Sequence, residues 1–168
     1  MGGGRDITRR IHDEHVATIG LIDRLERLLA RAKPAAPPAA DDPEGARVFG
    51  ALGKALAVEV GRHFDFEQNR LFPLLAGGGD SDIAMLLTDE HDGIREVAGR
   101  LSAMLEAARA AGFAAPAWGE FHRLAREYVE RQISHIQKEE MALLPMLDDA
   151  LDDETDARLA EIYAKETA

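Results

Sequence analysis

The side chains best placed to do chemistry in this chain are histidines and glutamates that recur at helical spacing. His63-Phe-Asp-Phe-Glu67 and His135-Ile-Gln-Lys-Glu139 each put a glutamate four positions after a histidine. A proline follows each histidine by ten positions, Pro73 and Pro145. On an α-helix, residues i and i+4 lie one above the other on one face, so imidazole and carboxylate can converge on a single point. One such pair is weak evidence, since any exposed helix can carry it. Two with the same proline offset are hard to ascribe to chance. Asp13-Glu14-His15 likewise recurs as Asp89-Glu90-His91. The order His, His-x3-Glu, His, His-x3-Glu reads as an internal duplication of a helical hairpin with an offset of roughly 72 to 76 residues.

The elements that must hold these side chains follow from the apolar spacing. In the first helix, about 6–32, the seam is Ile11, His15, Thr18, Ile22, Leu25 and Leu29, in alternating steps of four and three. A proline-rich connector, 33–41, cannot be regular helix. Asp42-Pro43-Glu44 supplies an N-cap, a first-turn proline and an early acid. The second helix, about 43–76, turns Val48, Leu52, Leu56, His63, Glu67 and Leu74 inward, and Gly77-Gly78-Gly79 ends it. Asp80 or Ser81 caps a third helix, about 82–111, whose seam includes Leu87, His91, Ile94 and Leu101. Pro116 opens a fourth, to about residue 147, with Phe121, Leu124, Tyr128, His135, Glu139, Ala142 and Met146 inward. A short fifth helix, about 153–165 and capped by Asp152, covers one side through Leu159, Ile162 and Tyr163. Pro73 and Pro145 read as helix stops or kinks, which leaves their shared offset unexplained.

The expected architecture is all-α: an up-down-up-down four-helix bundle, about 6–147, with a short extra C-terminal helix. One domain over 1–168 is expected, because a chain of 168 residues can bury about 70% of its unfolded surface. In this topology the starts of helices 1 and 3 and the ends of helices 2 and 4 share one end of the bundle. His15 and His91 each lie about nine residues, roughly 14 Å, into their helices. Glu67 and Glu139 lie about as far from the ends of theirs, so His15, His63, Glu67, His91, His135 and Glu139 fall in one layer. Four imidazoles and two carboxylates buried together would cost many kcal/mol unpaired. A dinuclear metal centre resolves that cost, with two histidines per ion, both glutamates bridging, and an oxide or hydroxide as a fifth ligand. An octahedral ion then keeps one position open for a small molecule.

Composition limits the alternatives. With no cysteine, thiolate sites are excluded, and nitrogen and oxygen ligands suit iron, manganese or zinc. The net charge of −11 argues against nucleic acid or an anionic membrane surface as partner. No apolar run is long enough for a membrane span, and no signal-peptide core is present, so a cytoplasmic location is expected.

The H–HxxxE–H–HxxxE order, with Leu71-Phe72-Pro73 and Leu143-Leu144-Pro145 after the two glutamates, resembles the hemerythrin-like, HHE cation-binding family over about residues 6–147. The resemblance implies a non-haem di-iron centre, two ions in an Fe–O–Fe unit, held by His15, His63, Glu67, His91, His135 and Glu139. It further implies chemistry with O2, peroxide or NO: catalase-like or oxidase turnover, sensing of O2, NO or iron, or a metal-stabilised scaffold without turnover. The chain departs from the O2-carrying members at two points. Arg95 stands where they have a second third-helix histidine, and Glu140 lies beside Glu139 where they have an aspartate. One imidazole fewer favours peroxide or NO chemistry or sensing over reversible O2 carriage.

Five residues need a separate reading. His12, three positions before His15, is a seventh ligand, a donor behind the ligands or a rim residue. His122 is expected on the surface, well off the ligand face. Tyr128, two turns before His135, is expected in the core with its hydroxyl satisfied. Glu59 and Arg131, four residues before His63 and His135, read as surface, with a buried pair orienting the site as the alternative.

Overall fold

In the computed structural model, which describes residues 4–167, the chain forms five helices and no strand among the described residues. Helix α1 is Asp6–Arg31. Helix α2 runs continuously over 43–77, α3 is Ser81–Ala108, α4 runs over 115–150 and α5 is Asp153–Glu166. The first four form the expected up-down-up-down bundle, and α5 packs against α1. No helix among the described residues is long and apolar enough to cross a membrane.

Local chemistry sets the boundaries. The Asp42 carboxylate accepts from the Gly45 N–H at 3.1 Å, with Pro43 in the first turn of α2. Asp152 does the same for α5, accepting from the Thr155 N–H at 2.7 Å. Asp80 stands before α3 but makes no side-chain cap bond; the chain arrives there through Gly79, whose φ of 96° only glycine adopts without strain. The connector after α1 is tied to α4: Trp118 Nε1 donates to the Lys33 carbonyl at 2.9 Å. His122 Nε2 likewise donates to the Leu29 carbonyl, one of the last in α1. His122 is therefore buried, against the expectation of a surface residue. Capping a helix C-terminus gives its ring a partner that the face count along α4 could not reveal.

Two prolines lie inside helices instead of ending them. Each follows a π-helical turn, Glu67–Leu71 before Pro73 and Glu139–Leu143 before Pro145. Proline has no N–H for the carbonyl four residues back, and its ring clashes with that carbonyl. Widening the preceding turn removes the conflict, and the Phe72 and Leu144 N–H groups reach back to the Glu67 and Glu139 carbonyls. The extra residue also shifts the seam. Leu75 and Leu147 are buried where regular spacing pointed to Leu74 and Met146, and Leu143 is buried where it pointed to Ala142. A third π turn, Ala55–Glu59 in α2, has no proline behind it.

The core is divided. One apolar cluster, with Leu25, Leu52, Leu101, Trp118 and Phe121, fills the half away from the helix 1 start. A second, with Ile7, Ile11, Leu71, Leu87, Leu147 and Leu159, fills the other half, closed by α5. Between them lies a buried polar layer.

Candidate metal centre

The layer is built from one position each on α1 and α3 and two each on α2 and α4. His15 and His91 lie on the seams of α1 and α3, three to four residues from apolar neighbours on either side. His63 with Glu67, and His135 with Glu139, enter as i,i+4 pairs from α2 and α4. In each pair the glutamate opens the π turn, so the shared spacing from histidine to proline fixes where the helix widens relative to the carboxylate.

The structure brings all six predicted residues together. Glu67, His91 and Glu139 are 0% exposed, His15 and His135 nearly so, and His63 keeps one edge near solvent. His15 Nε2 is 2.9 Å from Glu139 Oε2, and His135 Nε2 is 2.9 Å from Glu139 Oε1. His63 Nε2 is 3.1 Å from Glu67 Oε1, and His91 Nε2 is 3.2 Å from Glu67 Oε2. The atoms form two groups, each with members within 4.8 Å of one another: His15, His63, Glu67 and Glu139, and Glu67, His91, His135 and Glu139. Both glutamates belong to both groups.

Close approach does not amount to hydrogen bonding here. None of the four carboxylate oxygens of Glu67 and Glu139 has a hydrogen-bond partner of acceptable geometry, nor does His15 Nε2. The Nε2 atoms of His91 and His135 face each other at 3.0 Å. Two fully buried carboxylates without donors would be costly. Donor atoms of this kind, aimed at two common points, suit cations that accept nitrogen and oxygen ligands.

Each imidazole is held from behind through Nδ1, so Nε2 points inward. Glu14 engages His63, and Glu90 engages His135 at 2.9 Å. Glu140 engages His15 at 2.6 Å, and Gln68 engages His91 at 2.9 Å. Glu14 and Glu90 are the central residues of the two Asp-Glu-His repeats, and Gln68 and Glu140 directly follow the two inward glutamates. The duplication therefore covers the groups that orient the rings as well as the rings. Such partners fix tautomer and ring direction and raise basicity toward a metal. Ring contacts add rigidity around one pair, since Phe64 stacks on His91 with centroids 3.8 Å apart.

Electrostatics points the same way. Burial alone would push the imidazoles of His15, His63 and His135 down, but the negative charge of Glu67 and Glu139 close by and the Nδ1 bonds to Glu140, Glu14 and Glu90 raise all three, His63 well above its ordinary value. Burial would push Glu139 up, yet the three imidazoles beside it hold it well below the usual carboxylate range. Glu67 is pushed up by burial and by Glu139, and its histidines bring it below the ordinary value. Glu14, opposed by burial, is drawn down to about 2 by His63, Tyr163 and Arg62. The carboxylates call for positive charge inside the layer.

The remaining sequence candidates lie further out. His12 Nδ1 faces Glu140 at 2.9 Å, and its side chain is half exposed on the outer side of that carboxylate. Tyr128 is buried, and its hydroxyl accepts from Gln132 at 3.1 Å. Arg131 pairs with Glu127 on the surface, so the buried orienting role does not hold for it, and the side chain of Glu59 lies outside the described residues. Arg95 donates to Asp65 at 2.9 Å and to Gln68 at 3.2 Å. Sequence reasoning missed Glu14, Gln68 and Glu90 as ring partners, although the repeat contained the signal. Tyr163 on α5 is buried, in keeping with its expected packing role, but its hydroxyl also donates to Glu14, so α5 does more than cover the bundle.

Comparison with known families agrees with this geometry. The model of the hemerythrin HHE cation-binding domain matches residues 6–161, nearly the whole chain. No curated protein matches the chain. The chain belongs to the hemerythrin HHE cation-binding family, and its buried histidines and glutamates form groups that could hold a metal.

Proposed function

We propose that this member of the hemerythrin HHE cation-binding family is one domain holding two iron ions and reacting with a small oxidant or diatomic, peroxide or NO before reversibly carried O2. His15 and His63 would serve one ion, His91 and His135 the other, and Glu67 and Glu139 both. The observation that carries this reading is the set of four buried glutamate oxygens without hydrogen-bond partners, facing inward imidazoles. When bound there, iron supplies redox equivalents and an electrophilic position for a small ligand.

The chain's own residues prepare that position. Glu14, Glu90, Glu140 and Gln68 hold the Nδ1 side of each ring, leaving Nε2 as the inward donor. The apolar clusters above and below the layer keep bulk water out and strengthen electrostatic interactions within it. Arg95, in place of a further histidine, is engaged with Asp65 and Gln68. That leaves two imidazoles for each ion, which supports chemistry at an open position. The test is metal analysis of iron-loaded protein together with the absorption change on adding peroxide, NO and O2 in turn. A spectral response to none of the three would contradict the reading.

A further inference from the structure

The two halves of the duplication are not equal where they touch the polar layer. Gln68 and Glu140 each directly follow an inward glutamate, and each stands second in a π turn, Glu67–Leu71 and Glu139–Leu143. Each reaches across to a histidine of the other half: Glu140 to Nδ1 of His15 at 2.6 Å, and Gln68 to Nδ1 of His91 at 2.9 Å. One partner is a carboxylate and the other a neutral amide.

Arg95 fixes which atom of that amide faces the ring. Its Nη2 donates at 3.2 Å to the same Gln68 Oε1 that meets His91, and a guanidinium can only donate. The oxygen therefore accepts from both, and His91 donates through its Nδ1–H. Arg95 also lies over the Phe64 ring, which stacks on His91. A cation thus stands behind Gln68, shared with Asp65 at 2.9 Å.

The partners can be compared ion by ion. The position between His15 and His63 has carboxylates behind both rings, Glu140 and Glu14. The position between His91 and His135 has one, Glu90, and an amide. Each side has a cation on one carboxylate, Arg62 on Glu14 and Lys138 on Glu90, so these offset. What remains is Glu140 against Gln68. Both orient a ring, but only the carboxylate adds negative charge behind it, and a partly dry layer screens that charge weakly.

We propose that the two positions hold divalent metal with unequal affinity: the His15–His63 position fills first, the His91–His135 position second, and Gln68 sets the difference. Between the two affinities the chain carries a single ion, and the second ion is the exchangeable one. This inference deepens the proposed function and rests on its two-ion reading.

The test titrates the full metal-free chain with zinc, which undergoes no redox change, in competition with a chromophoric chelator. Neighbouring cations repel, so a symmetrical centre would also show two separated constants. Two isosteric variants decide. Gln68→Glu should tighten the second event by about 10 to 100-fold and leave the first unchanged. Glu140→Gln should weaken the first event by about 10 to 100-fold and leave the second unchanged. Melting curves of the same samples report whether the fold is intact. Two ions bound with Gln68→Glu tightening the first event, or changing neither, overturns the inference and keeps the two-ion reading. One ion or none in the unaltered chain removes that reading, and the inference with it.

Discussion

The hydroxyl of Tyr163, on the last helix, donates to the carboxylate of Glu14, on the first. Glu14 also engages Nδ1 of His63 and accepts from Arg62. The C-terminal helix is thereby linked to one imidazole of the polar layer. Loss of a partner behind a metal-bound histidine lowers metal affinity by about 10 to 100-fold. Glu14→Ala is expected to fall in that range in competition with a chromophoric chelator. Tyr163→Phe, which leaves the carboxylate in place, should lower affinity less. Unchanged affinity in Glu14→Ala would show that His63 needs no such support.

His12 should be dispensable for metal content. Its half-exposed ring lies on the outer side of Glu140, whereas Glu140 touches both His12 and His15. His12→Ala should retain as much metal as the unaltered chain, and Glu140→Ala should bind more weakly, as measured by metal content after dialysis against chelator. Loss of metal in His12→Ala with full retention in Glu140→Ala would reverse these roles.

The prolines should favour the observed helix geometry. In a regular helix interior a proline costs about 3 kcal/mol, so removing it should stabilise. In a conformation that already accommodates the ring, Pro→Ala instead destabilises by about 0.4 to 1 kcal/mol through the unfolded chain. Pro145 follows a π turn, so Pro145→Ala should lower stability by that smaller amount in denaturant titration. A gain of several kcal/mol would show that the proline is strained.

The metal-free protein should lose stability as pH rises. His15, His63 and His135 have folded pKa values above their ordinary 6.5, so their contribution is fully present below 6.5 and is lost as pH climbs through the raised values. The lowered carboxylates act oppositely: Glu14, Glu67, Glu90, Glu139 and Glu140 contribute fully above 4.5 and lose this as pH falls through their folded values, Glu14's share being gone by about 2. Metal competes with protons for the same nitrogens, so the melting-temperature gain on loading should grow with rising pH. Melting curves at about pH 5.5, 7 and 8.5, with and without metal, check both trends. A metal-free protein that grows more stable across that range would contradict the first.

Much of the bundle was legible because the signals were local. Capping by Asp42 and Asp152, the glycine-rich ends and the apolar steps of α1 and α3 all depend on neighbours within a turn or two. The inward set was legible because duplication repeats its spacing. The π turns were not, since a helical period gives no sign of one added residue. That is why the expected seam ran one residue early at Leu74, Ala142 and Met146, with Leu75, Leu143 and Leu147 buried instead. The burial of His122 and the hydroxyl bond of Tyr163 were not legible for a different reason. Their partners, the Leu29 carbonyl and Glu14, are distant in the chain and adjacent only once α4 and α5 pack against α1.

Metal stoichiometry of iron-reconstituted protein tests the central claim most directly, compared between the unaltered chain and Glu67→Ala and Glu139→Ala. Both glutamates belong to both ligand groups, so removing either opens each group at once. Elemental analysis should give two ions per chain for the unaltered protein and a single ion or fewer for each variant. One ion or none in the unaltered chain, or two in both variants, would contradict the account.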